Sequence, residues 1–161
     1  IAGTGDVIRS IEEQVRVSQL GTKVRLLGQI PLGELHAYTL LADLGLSVEK
    51  DVSLNYRIAL PNKFLDYIQA GVPVLVSPFP EMKAIVDRYE IGEYLESHAP
   101  EAFAGQMDQI LSDGERLARY RENLRQAAED LCWEKEEEHL LSLLKRMEHP
   151  PDRVEIQGPH G

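Results

Sequence analysis

A chain of 161 residues with 43% hydrophobic content carries enough apolar side chain to close one domain around a core, which excludes a disordered polypeptide. Seventeen Lys and Arg against 27 Asp and Glu leave a net charge of −10, which disfavours nonspecific attraction to nucleic acid or anionic lipid and leaves only a local basic pocket open. No apolar run reaches bilayer-spanning length, and the lone cysteine, Cys132, excludes an internal disulfide and suits a reducing cytoplasm, the expected location.

Ile1-Ala2-Gly3-Thr4-Gly5-Asp6 reads as the end of a strand entering a glycine-rich turn, with Asp6 placed to cap the helix that follows. Ile8, Ile11 and Val15 recur at helical spacing up to Leu20, and Gly21 closes the element. Gly3 and Gly5 fall short of the dinucleotide fingerprint, because Ile8 stands where its third glycine belongs. Both a tight structural turn and a direct phosphate contact fit them. Val24–Gly28 is the next strand, and a helix from Leu32 to Leu41 follows, with Leu35, Tyr38 and Ala42 inward and His36 on the surface. Leu44–Val48 is a further strand. Strand and helix in repeated alternation predict an α/β fold, a doubly wound parallel sheet whose ligands gather outside the carboxyl ends of the strands. The site then falls on Gly3–Gly5, Gly28–Pro31, Glu49–Asn62 and Ser77–Glu81.

Glu49 to Leu60 is a polar stretch with few apolar residues. A loop of that length inside a domain is expected to serve a site or to move. It leads into a helix opened by Pro61 and closed at Gly71, with Phe64, Leu65 and Ile68 on its apolar side and Lys63 and Asp66 together on another. Lysine before the acid is the weaker order for a helix-stabilising pair, and such a surface pair contributes only a few tenths of a kcal/mol. A chemical role explains the pair better: one cation and one anion near a helix start beside the sheet, with free amides from Asn62 onward adding positive charge, make a seat for a phosphorylated, hydroxylated ligand. Val74–Val76, aliphatic throughout, is an interior parallel strand.

Beyond Ser77, a helix starting near Pro80 turns Met82, Ile85, Val86 and Tyr89 inward, and Ile91–Leu95 is a short closing strand. Pro100 opens a helix with Phe103, Met107, Ile110 and Leu111 inward, broken at Asp113-Gly114. Two amphipathic helices end the domain, the first with Leu117, Tyr120, Leu124, Ala127, Ala128 and Leu131, the second with Leu140, Leu143, Leu144 and Met147. Residues 1–148 are read as the domain and 149–161 as a disordered tail. The five histidines show no metal-ligand spacing, so no metal site is expected, and neither a nucleophile elbow nor a phosphate-loop motif occurs.

The run Pro61-Asn62-Lys63-Phe64-Leu65-Asp66-Tyr67-Ile68-Gln69-Ala70-Gly71-Val72-Pro73-Val74 resembles the P-x-K-x-x-E-Y-x-x-x-G-x-P-V segment in the second domain of GT-B glycosyltransferases of the retaining family-four type. The resemblance extends over residues 1–146. It implies the Rossmann-like half of a GT-B fold with C-terminal helices, and a domain that binds a nucleotide-sugar donor for transfer to a glycan, lipid or other acceptor, with no cofactor and no essential metal. Asp66 then holds the ribose hydroxyls where glutamate is usual. Asn55 matches an asparagine of the Pro-x-Lys variant, Ile30 matches the turn packed against the base, and Gly3 and Gly5 match a similarly placed Gly-x-Gly. The other glutamate of the family signature falls on Ile58, Ile91–Leu95 matches the short closing strand that follows a Tyr-Gly-Ile-Gly turn, and no catalytic residue is assigned. The resemblance further implies a first strand and an N-terminal acceptor domain outside this sequence, through which alone a peripheral membrane contact would run. The isolated chain is then expected to be inactive, with its last helix free for self-association. Two other readings share the architecture: a degenerate, non-catalytic binding or regulatory domain, for which Ile58 and Asp66 speak, and part of a nucleotide-sugar 2-epimerase.

Overall fold

Val74-Leu75-Val76 has no polar side chain to keep in water, and it becomes the middle strand of the sheet. A computed structural model describes residues 1–148 of the protein, so the expected tail, 149–161, lies outside the described residues. Strands β1 (Gly45–Ser47), β2 (Val74–Val76) and β3 (Gly92–Tyr94) run parallel in the order β1-β2-β3. Gly45 lies opposite Val74, and Val74 opposite Gly92. Around them stand α1 (Ile8–Val17), α2 (Leu32–Thr39), α3 (Leu54–Ile58), α4 (Asn62–Gln69), α5 (Pro80–Tyr89), α6 (Pro100–Ser112), α7 (Gly114–Asp130) and α8 (Trp133–Glu148).

Successive side chains of a strand point to opposite faces, so β2 feeds two cores. Val74 and Val76 pack with Phe64 and Ile68 of α4, Met82 and Val86 of α5, and Leu124 and Ala127 of α7. Leu75 packs on the other side with Leu95, Ile110 of α6 and Leu117. Each fully buried aliphatic or aromatic side chain of this kind contributes about 1.5–3 kcal/mol. Helices cover both faces of a parallel sheet, which is the doubly wound α/β arrangement the alternation predicts.

Close approach makes Gly92 obligatory, since a Cβ there would stand 2.0 Å from the carbonyl oxygen of Val74. Two residues earlier, Glu90 closes α5 in the left-handed region at φ 51°, a conformation that favours glycine. The Asn123 side-chain amide donates to its carbonyl at 2.9 Å and holds the turn.

Several elements differ from expectation. The two strands expected at Ile1 and at Val24–Gly28 shrink to a single parallel bridge, Ala2 with Gly28. The Leu27 amide donates to the Ile1 carbonyl at 2.8 Å and the Gly3 amide to the Gly28 carbonyl at 2.7 Å, but among the described residues neither run has a second neighbour to extend the ladder. Helix α1 stops at Val17, short of Leu20, because Gln19 at φ 53° takes the left-handed position that Gly21 was expected to supply. The Leu20 amide reaches the Val15 carbonyl at 2.9 Å and that of Gln19 reaches Arg16 at 3.2 Å, the two bonds of a Schellman ending. Tyr38 of α2 is exposed while Leu35 and Ala42 are half-buried. The polar stretch before Pro61 contains one helical turn, α3, opened where the Ser53 hydroxyl accepts from the Tyr56 amide at 3.4 Å, and Pro61 itself sits one residue before α4 at φ −68°, ψ 136°.

On α6, Leu111 faces water and Gln106 is buried in its stead. The Gln106 amide nitrogen donates to the Tyr94 carbonyl at 2.7 Å and its oxygen accepts from the Glu96 amide at 3.1 Å, so both ends of the buried amide are satisfied. Along α8, Leu140, Leu143 and Leu144 are exposed.

Opposite effects are expected at the two ends of the Glu90 turn. Glu90→Gly relieves left-handed strain and raises stability by about 0.5–1 kcal/mol, whereas Gly92→Ala forces a methyl into the β2 backbone and lowers stability by about 2–3 kcal/mol. Urea unfolding followed by far-ultraviolet circular dichroism reads both.

Candidate functional site

Because β1, β2 and β3 are parallel, their last residues, Ser47, Val76 and Tyr94, come to one end of the sheet. A hollow of about 570 Å³ opens there, lined by Glu49, Asp51 and Arg57 after β1, Ser77, Pro78, Phe79 and Pro80 after β2, and Leu95, Glu96, Ser97 and His98 after β3. Its back wall is tied by hydroxyls. Buried Ser77 donates from Oγ to the Glu49 carbonyl at 2.5 Å and from its amide to the Ser47 carbonyl at 2.9 Å. Buried Ser47 donates from Oγ to the Glu49 carboxylate, 3.2 Å from Oε2.

Glu49 Oε1 also receives the Lys63 ammonium at 2.6 Å, with the Glu49 side chain 14% exposed and that of Lys63 49%. At the mouth, Arg57 donates to Asp51, and that hydrogen bond holds the guanidinium above its usual value. Carboxylates outnumber cations among the lining groups, so the hollow suits hydroxyl donors better than a free anion.

A second hollow of about 510 Å³ lies between α2 and α4, lined by Leu32, Gly33, Leu35, His36, Thr39 and Asp66. It offers apolar walls from Leu32 and Leu35 and a carboxylate from Asp66. Helix α4 begins without a side-chain cap. The Phe64 amide reaches the Pro61 carbonyl at 3.0 Å, so the amides of Asn62 and Lys63 precede the first bond of the helix and point outward with its positive end.

The sequence-derived site residues divide among these places. Lys63 is paired with Glu49 on the rim of the strand-exit hollow, while Asp66, one turn on, lines the α2–α4 hollow. Asn62 is exposed at the start of α4. Ile30 is half-buried in the turn between Gly28, at φ 64°, and α2, and lines neither hollow. Asn55 is exposed on α3 and also lines neither. Gly3 and Gly5 line a separate hollow of about 140 Å³ with Ile1, Ile8 and Ile11, and only Gly3, at φ 124°, has a backbone that asks for glycine. Sequence reasoning missed the strand exit at Leu95–His98, although the rule that selected the other exits applies equally to β3. It included Glu49 and Ser77 within loop ranges but assigned neither a partner. Among the described residues no group of His, Cys, Asp and Glu is arranged to hold a metal ion, and no helix is long and apolar enough to cross a membrane.

Comparison with known proteins gives three findings. Residues 1–127 match the family model described as Glycosyl transferases group 1. Among solved structures, the chain is similar to sucrose-phosphate synthase from Thermosynechococcus elongatus, with a TM-score of 0.67 and 23% identity, over 86% of this chain and 34% of that one. The chain thus spans about a third of that protein's length, and the likeness shows the fold. No curated protein matches.

The hydroxyl ties give one direct expectation. Ser77→Ala removes the donor to the Glu49 carbonyl, which lowers stability by about 1 kcal/mol and speeds amide exchange in residues 49–53 while Val74–Val76 keep their protection, as hydrogen exchange with mass spectrometry will report.

Proposed function

Since the chain belongs to the glycosyl transferases group 1 family and has the Rossmann-like α/β fold of a GT-B half, we propose that it is the donor-binding half of a retaining glycosyltransferase. The donor is a nucleoside-diphosphate sugar, and the acceptor a glycan, lipid or other hydroxylated molecule. The single observation that carries this proposal is the placing of Asp66 in the α2–α4 hollow, one helical turn from Lys63 at the uncapped start of α4. A ribose presents two hydroxyl donors, which one carboxylate accepts together. Leu32 and Leu35 supply an apolar wall for a base. Three residues of helix rise by about 4.5 Å, so a diphosphate attached to a ribose on Asp66 reaches the Lys63 ammonium and the amides of Asn62 and Lys63. The sugar then extends toward the strand-exit hollow, where Glu49 and Ser77 stand.

When the bond between the anomeric carbon and the diphosphate oxygen breaks, negative charge grows on the diphosphate. A cation and helix-start amides held at that point favour the transition state more than the ground state. No cofactor enters this scheme, and the nucleotide sugar is the substrate. Transfer needs an acceptor-binding half to close over the donor and exclude water, so the 161-residue chain by itself binds nucleotide and transfers no sugar. Cys132, half-buried and without a cysteine partner, fits a reducing, cytoplasmic setting.

Isothermal titration with UDP and with GDP tests the assignment. Asp66→Ala is expected to weaken the preferred nucleotide about ten-fold or more, and Lys63→Met by a similar factor, with both variants folded by circular dichroism. Equal affinity of wild type and Asp66→Ala would remove the ribose role. Absence of affinity for either nucleotide would leave the degenerate binding domain in place of the transferase.

A further inference from the structure

Lys63 is already engaged within the chain, and the manner of that engagement is informative. Its ammonium lies 2.6 Å from Glu49 Oε1. The carboxylate is the anchored member of the pair: Ser47 Oγ donates to it, Ser77 Oγ fixes its own carbonyl, and both serines are buried. Lysine is the movable member, a half-exposed point charge on a four-carbon stem with rotatable donors. A surface ion pair contributes little to stability, and two buried hydroxyls aimed at one residue are more scaffolding than such a pair requires.

From this asymmetry we infer that Glu49 is a positioning residue for the donor: it holds the Lys63 ammonium at the rim of the strand-exit hollow and yields it to an arriving diphosphate. The inference rests on the donor role proposed for Lys63. Swinging the ammonium from carboxylate to phosphate asks only for side-chain rotation, because α4 and the Ser47–Glu49 segment stay fixed by their packing and hydroxyl ties. The exchange has a second consequence. Once its cation has left, the Glu49 carboxylate faces the hollow it lines with Ser77 and His98 as a free acceptor for a sugar hydroxyl. Diphosphate arrival and exposure of a sugar-reading acceptor are therefore one event.

Inorganic pyrophosphate, which has neither base nor ribose, isolates the exchange. It is titrated into the full chain and into E49Q, K63M and the double variant, with the backbone amide of residue 63 followed by ¹H–¹⁵N NMR. Glutamine keeps the size of the side chain and an oxygen for Ser47 but removes the charge that competes with phosphate. E49Q is expected to bind pyrophosphate about two- to five-fold more tightly than wild type, and K63M and the double variant to bind more weakly and equally. Glu49→Asp, which keeps the charge while withdrawing it by one methylene, should fall between wild type and E49Q. Unchanged or weaker binding by folded E49Q overturns the inference. So does the same gain in the double variant, which would mark a general charge effect, or a lack of pyrophosphate binding in all four proteins. Exchange with pyrophosphate but no affinity for UDP or GDP keeps Glu49 as the counter-ion of Lys63 and removes the nucleotide donor, whereas Asp66-dependent nucleotide binding without the exchange removes Glu49 alone.

Discussion

Strand β2 is buried at all three residues, and both cores and both hollows take their positions from it. Its alternating side chains separate the α4–α5–α7 core from the α6 core. Its parallel pairing on both edges brings the ends of β1 and β3 level with its own. Ser77, the next residue, is therefore delivered to the Glu49 backbone, and Leu95 to the opposite rim. A hydrophobic requirement at three consecutive positions thus becomes a polar arrangement just beyond them. Chain connectivity and register do the converting.

Helix α4 links that arrangement to the second hollow. Phe64 and Ile68 are drawn into the core, which fixes the helix's rotation. Lys63 and Asp66 stand about 60° of arc apart around the axis, so a helix pinned by its apolar side points one charged group toward the end of the sheet and the other toward α2. The pair is legible in sequence as two charges on one flank. That they divide between adjacent hollows follows from the rotation that packing imposes. The nucleotide proposed for this place would bridge the two, with its negative centre at the cation and its hydroxyls at the acid.

Local pattern accounts for what the sequence disclosed. The aliphatic run of β2, the i, i+3, i+4, i+7 spacing of Met82, Ile85, Val86 and Tyr89, the α7 stripe and the alternation of strand with helix all express a preference that neighbouring residues share. What escaped it depends on partners distant along the chain. Gln106 is buried because the ends of β3 need an amide donor and acceptor, a demand invisible from α6 itself. Val24–Gly28 has strand composition but, among the described residues, only one bridge to join. The Glu49–Lys63 contact spans the least patterned stretch of the chain, in which the one-turn helix α3 is held by a single serine cap too short to register in any periodicity. Of the residues proposed to meet the donor, Asp66 and Lys63 are legible from spacing and resemblance. Glu49 falls within an expected loop range, but its pairing with Lys63 depends on β1 and α4 lying side by side.

The central claim is that the carboxyl ends of the strands and the start of α4 form one continuous donor seat. Hydrogen exchange measured by mass spectrometry with and without saturating UDP or GDP tests it most directly. The account predicts slowed exchange confined to residues 32–39, 47–51 and 61–66. Protection that instead appears only in α1 or α8, or no change across those three segments while nucleotide is bound, would contradict it.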